Sequence, residues 1–138
     1  MTHAVRDTCL CLQTQRAARA LARRFDEALS PLALTSGQFS LLVSLSRPVP
    51  PPLGAVAALL AMDRTTLTAN LKPLQRRGLV KVAVDRTDRR SRLLMLTAAG
   101  KTLLRKALPV WRKTHGELDR ALSAVQRDQL RAGLLALA

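Results

Sequence analysis

Cysteine is nearly absent from the 138 residues, with Cys9 and Cys11 the only two. Two residues apart, they are too close for an ordinary disulfide staple, which points to a reducing compartment. Histidine is as scarce: His3 and His115 stand near opposite ends. No glycine-rich phosphate loop, nucleophile motif or pair of catalytic carboxylates occurs, which argues against an enzyme. No cofactor is expected and no metal site. The longest apolar run, Leu53 to Met62, is too short to span a bilayer. The first thirty residues carry arginines throughout and no signal-peptide hydrophobic region. A cytoplasmic protein without a membrane partner is the expectation.

Acid is the other shortage. Nine Asp and Glu face 23 Lys and Arg, a formal net charge of +14, with a pI near 11.7. A balance that basic points to a polyanion. Apolar residues make up 48% of the chain, enough for a core, and the length suits one domain, 1–138.

Residues 5–29 read as one helix, because Leu10, Cys11, Thr14, Ala17, Ala18, Leu21, Phe25, Ala28 and Leu29 recur at spacings of three and four. Ser30-Pro31 ends it. Thr35 and Gln38 have the form of a capping box before a short buried helix. Pro48, Pro50, Pro51 and Pro52 make a stiff loop. Leu53 to Leu60 is a short apolar helix, and Asp63 suits the N-cap of a second, Arg64 to Arg77, with Gly78 as its stop. Two short helices with a tight link outline a helix-turn-helix. Leu79–Val84 and Arg92–Leu96 are β-like. Thr97 caps a helix over about 98–120 that Pro109 should kink. Ser123 and Gln126 form a second capping box before a helix over about 124–137.

Between the two strands lies Val84-Asp85-Arg86-Thr87-Asp88-Arg89-Arg90-Ser91-Arg92. Segment 64–92 holds nine Lys/Arg against two acids, a net +7 and half the chain's excess in a fifth of its length. That concentration favours a double-stranded DNA surface over a generally basic one. In the helix after Asp63, Leu67, Leu71 and Leu74 would face the core, while Arg64, Thr65, Thr68, Ala69 and Lys72 would face outward, with Thr66 beside them. Small hydroxyl and methyl side chains let a helix approach base edges in the major groove, and arginine can read guanine. Lys72 and Arg77 read as phosphate contacts. A hairpin tip beside such a helix can reach the minor groove, whose potential attracts arginine. Asp88 is spaced to hold the Arg90 guanidinium in position, and Arg86, Arg89 and Arg92 would neutralise phosphates.

Three stretches, "LTSGQFSLLVSL", "MDRTTLTANLKPLQRRGLV" and above all "DRTDRRSRLLMLTAAG", resemble the multiple-antibiotic-resistance regulator (MarR) family of bacterial transcription factors. The resemblance covers nearly the whole chain. It implies a mainly α fold with a small β-wing, a winged helix-turn-helix of six helices. It further implies a homodimer built from the terminal helices, about 5–30 and 98–138, around DNA-reading parts at about 35–97. By the same resemblance, 64–77 is the recognition helix, Asp88 the wing's orienting acid and Arg90 its minor-groove arginine. The implied function is a repressor on an inverted-repeat operator, released by a small aromatic or anionic effector. One departure is Pro50-Pro51-Pro52-Leu53, where the family has a polar cap.

Cys11 resembles in position the reactive cysteine of the family's hydroperoxide-sensing branch, yet the two tyrosines of that branch are here Phe25 and Ser36. A redox-responsive regulator using Cys11 or Cys9 therefore stands against plain packing of Cys11 on the apolar stripe, with Cys9 the more exposed thiol. Trp111 and Phe25 belong either to a dimer core or to an effector pocket. A non-specific architectural nucleic-acid binder is the remaining alternative, since charge alone would serve it.

Overall fold

The computed structural model describes residues 2–138. Seven α-helices and one hairpin run in the order α1 (Thr2–Thr8), α2 (Leu10–Leu29), α3 (Ser36–Ser44), α4 (Leu53–Leu59), α5 (Arg64–Arg76), β1 (Val80–Val84), β2 (Arg92–Leu96), α6 (Ala98–Asp119) and α7 (Ala124–Leu137). The count exceeds the expected six because the first helix is broken. Cys9 adopts an extended ψ of 107° and starts α2 without a side-chain cap. The carbonyl of Asp7 left over at the break accepts the Gln13 side-chain amide at 2.6 Å. Apolar spacing carries no trace of this interruption.

Short-range chemistry sets the other helix starts. Thr35 and Gln38 form the capping box of α3, and Ser123 and Gln126 that of α7. The Thr97 hydroxyl accepts from the Gly100 N–H to open α6, which runs unbroken through Pro109. A single 3-10 turn at Ser30–Leu32 closes α2. The next chain reversal is fixed when Asp26 accepts the Ser36 N–H at 2.6 Å.

One core joins these parts. Leu29, Leu42, Leu67, Leu71, Leu74, Leu94 and Val56 are fully buried, so α2, α3, α4, α5 and β2 all seat on the same cluster. Arg24 and Glu117 add a surface tie between α2 and α6 at 3.1 Å. Between α4 and α5 the turn is tight: Ala61 takes the left-handed conformation, φ 51°, and Met62 N–H returns to the Ala57 carbonyl at 2.9 Å.

Strands β1 and β2 pair antiparallel with Val80 opposite Leu96 and Val84 opposite Arg92. The proline loop adds a third rung. Pro52 bridges Leu93, and the Pro51 carbonyl accepts the Leu94 N–H at 3.0 Å. Proline has no N–H to give and is tolerated at such an edge. The departure at Pro50–Leu53 is thus a loop strapped to the wing, with Pro52 as an extended N-cap lacking a side-chain bond.

The two ends of the chain contrast with this core. Neither α1 nor α7 buries a residue. Val125, Leu130, Leu134, Leu135 and Leu137 are all exposed, Leu135 to 78%, as are Val5 and Leu10.

Candidate nucleic-acid interface

Helix α5, the expected recognition helix, is held by its inner leucines, Leu67, Leu71 and Leu74, and by its cap. Asp63 accepts the Thr66 N–H at 2.7 Å and the Thr66 hydroxyl at 2.8 Å. Those two bonds, the backbone one first, hold its carboxyl below the usual carboxylate range. The outer face carries Arg64, Thr65, Thr66, Thr68, Ala69 and Lys72, all exposed. Their hydroxyls are not equally free. That of Thr66 is given to Asp63, and that of Thr68 to the Arg64 carbonyl at 2.8 Å. Arg64, Thr65 and Lys72 keep their donors for an outside partner.

At the wing tip the two acids shape the backbone. Asp85 accepts the Thr87 N–H at 2.9 Å and its hydroxyl at 2.8 Å. These bonds lower the Asp85 carboxyl, again with the backbone bond as the larger cause. Asp88 accepts the Arg90 N–H at 3.0 Å. Both are local turns of the kind aspartate makes with a residue two places on. The expected clamp of Asp88 on the Arg90 guanidinium is therefore corrected: Asp88 holds the backbone of Arg90. Arg86, Arg89 and Arg90 are exposed and their guanidinium groups have no acceptor among the described residues. Arg92 folds back onto the carbonyl of Arg89 at 3.1 Å. The mixed signs thus have a structural account: the carboxylates of Asp85 and Asp88 fold the tip, and the guanidinium groups of Arg86, Arg89 and Arg90 stay outside.

Helix and wing meet in one groove of about 410 Å³, whose lining includes Gly54, Arg64, Asp88, Arg90 and Arg92. Arg77 is elsewhere. Its guanidinium donates to the carbonyl of Ala33 at 2.6 Å and of Leu32 at 3.4 Å. Ala33, at φ 52°, ends the 3-10 turn and turns that carbonyl toward the end of α5. Arg77 thus ties α5 to the corner after α2, a structural role its reading as a phosphate contact did not include. Counting charge cannot separate such an arginine from one that is free. Gly54 was missed because nothing in its neighbours in sequence marks it; only the fold brings Arg64 over it.

The thiols also differ from expectation. Cys11 is exposed and Cys9 half-buried, the reverse of the helical-stripe reading. The stripe faces solvent over the first turns of α2, where Leu29 is the one buried residue of the helix, whereas Cys9 stands in the shaded corner at the break. The Gln15 amide donates to Cys11 Sγ at 3.2 Å. Trp111 borders an apolar groove of about 460 Å³ with Phe39, Val43, Leu59, Leu60 and Leu108, and its ring lies 4.8 Å from that of His115. Phe25 packs against the core and does not border that groove. Among the described residues no three metal-binding side chains gather, and no helix is long and apolar enough to cross a membrane.

No family model matches the chain. Solved structures do. The transcriptional regulator MosR of M. tuberculosis, in complex with DNA, is 39% identical with a TM-score of 0.80, covering 93% of this chain and 96% of that one. A mutant MarR of E. coli, complexed with operator DNA, is 24% identical with a TM-score of 0.86 over 97% and 96% of the two chains, a likeness of fold. The transcriptional activatory protein BadR of Rhodopseudomonas palustris is 32% identical over 113 residues, 79% of this chain. The match spans 65% of that relative's length.

Proposed function

This chain belongs to the MarR family of winged helix-turn-helix transcriptional regulators, and from that premise we propose that it is a cytoplasmic repressor binding an inverted-repeat operator in double-stranded DNA as a homodimer. The observation that carries this reading is the groove where Arg64 of α5 meets Arg90 and Arg92 of the wing. One continuous cationic face then spans an element sized for the major groove and a tip suited to the minor groove. Arg64, Thr65, Ala69 and Lys72 would face base edges and adjacent phosphates. Arg90 would enter the minor groove, with Arg86 and Arg89 on phosphates. The DNA complex of MosR supports DNA binding as the function of this fold.

The dimer would form through α1, α2, α6 and α7, leaving residues 35–97 to read DNA. The exposed leucines of α7 supply the drive, since burying each is worth roughly 1.5–3 kcal/mol. Two recognition helices would then fall about one DNA turn apart, roughly 34 Å. The groove beside Trp111 is the place for a small aromatic effector, with any acid group directed outward. Light scattering at micromolar concentration tests the dimer: twice the 15.1 kDa chain mass is expected, and a monomer would overturn it.

A second reading rests on one observation. Cys11 is exposed and its sulfur has a donor, Gln15. Oxidation of Cys11 or of Cys9 would then alter α1 and α2, and with them the dimer.

A further inference from the structure

The Arg64 side chain is exposed but runs back toward α4, and its guanidinium stands where a methyl on Gly54 would project. A methyl group there would come within 2.8 Å of Arg64 Nη2, 3.4 Å of Cζ and 3.6 Å of Nε. Three atoms of one planar group at such distances mean that the guanidinium covers Gly54. A methyl at 54 would oblige the guanidinium to shift, which the far end of a flexible, exposed side chain does at little cost, so glycine at 54 permits this pose without being required by the fold. The same guanidinium lines the groove that Asp88, Arg90 and Arg92 enter from the wing side, and it has no acceptor among the described residues.

We propose that Gly54 is a positioning residue: it lets Arg64 lie between α4 and the wing as a clamp for one backbone phosphate of duplex DNA, and so withholds Arg64 from base reading. The inference rests on the DNA-binding reading above and specifies what one arginine of that surface does. The geometry of a duplex supplies the reason. With α5 in the major groove and the wing in the neighbouring minor groove, the strand separating the two grooves passes between them. The groove between α4, α5 and the wing is where that strand's phosphates would lie. An arginine turned back into this space meets a phosphate; one pointing along α5 would meet a base. Phosphate contacts fix register and orientation without reading sequence.

The test is a double-mutant cycle by fluorescence anisotropy with wild type, G54A, R64A and G54A/R64A. Two probes are used: a duplex selected from a random pool and a random-sequence duplex, each across a salt series. Losing one phosphate contact per subunit removes two per dimer, which should lower the salt slope by about 1.8 and affinity near 0.15 M salt by about 30-fold. R64A should show this loss equally on both duplexes. G54A should weaken both duplexes alike, by less than R64A, and add nothing when combined with R64A, because its effect acts through that guanidinium. The Tm of G54A should hold or rise, alanine being the better helix residue. G54A binding like wild type would overturn the inference, as would additive losses. So would R64A relaxing preference at one base pair, or a G54A protein whose Tm falls with its affinity. A wild type that binds neither duplex would overturn the DNA-binding reading itself, and this inference with it.

Discussion

Gly100→Ala should be among the most damaging single-methyl additions in this chain. Gly100 is buried on the first turn of α6, where the helix crosses the base of the wing. A methyl at this position would overlap the carbonyl oxygen of Leu79 and lie 3.1 Å from its carbon and 3.4 Å from Leu96 Cδ2. That oxygen is backbone and already accepts the Thr97 N–H at 3.1 Å, while the adjacent Gly78 carbonyl accepts the Thr97 hydroxyl at 2.6 Å. Relieving the overlap moves α6 off the strand and stretches both bonds. Overpacking costs about 1–3 kcal/mol and one weakened hydrogen bond about 1 kcal/mol. Better helix propensity returns about 0.5–1 kcal/mol. The net destabilisation is about 1–3.5 kcal/mol, which at this size lowers Tm by roughly 3–17 °C. Calorimetry at one fixed protein concentration measures it, because a dimer's Tm depends on concentration. Gly116→Ala is the internal control: on the same helix, it has nothing within 4 Å of its added methyl and should gain stability. Equal Tm values for wild type and Gly100→Ala would refute the reasoning.

Further substitutions separate roles inside the interface. Arg90→Ala should cost about 1–3 kcal/mol of operator affinity, as a specific groove contact does, read by titration in moderate salt. Asp88→Asn should keep wild-type affinity, since an amide oxygen can still accept the Arg90 N–H, whereas Asp88→Ala should weaken binding; equal losses in both would restore a role for the charge. Arg77→Ala should lower Tm by a few degrees, for about 1 kcal/mol of lost bonding to Ala33, and leave the salt slope of DNA binding unchanged. Organic hydroperoxide should inactivate the protein slowly, because the donor at Cys11 is the neutral amide of Gln15 and the reactive species is the thiolate. Rapid loss of binding at micromolar peroxide, abolished by Cys11→Ser, would make it a redox sensor.

What could be read in advance follows the range of the interactions. Thr35, Asp63, Thr97 and Ser123 act on backbone groups three residues away, so their caps were legible as spacing. Both strands were legible, whereas the need for glycine at 100, where an added methyl would overlap the Leu79 carbonyl, was not. What failed to show depends on distant partners. Arg77 reaches Ala33 from 44 residues away, and Arg64 meets Gly54 through the turn between two helices. The break at Cys9 preserves helical spacing closely enough to hide, and with it went the relative exposure of the two thiols. Asp88 is a different case. Its spacing to Arg90 was correctly noted, but the same spacing serves the backbone N–H, which is nearer and already fixed.

The central claim is sequence-specific recognition of duplex DNA by a dimer, and one competition experiment tests it most directly. Duplexes recovered from a random pool are sequenced, and their affinity is compared with that of shuffled duplexes in about 0.15 M salt. The account predicts an inverted repeat with half-sites about 10 base pairs apart and a preference of at least about 10³ over shuffled sequence. A pool that yields no common sequence, with selected and shuffled duplexes bound alike, would contradict it and leave a non-specific, charge-driven binder.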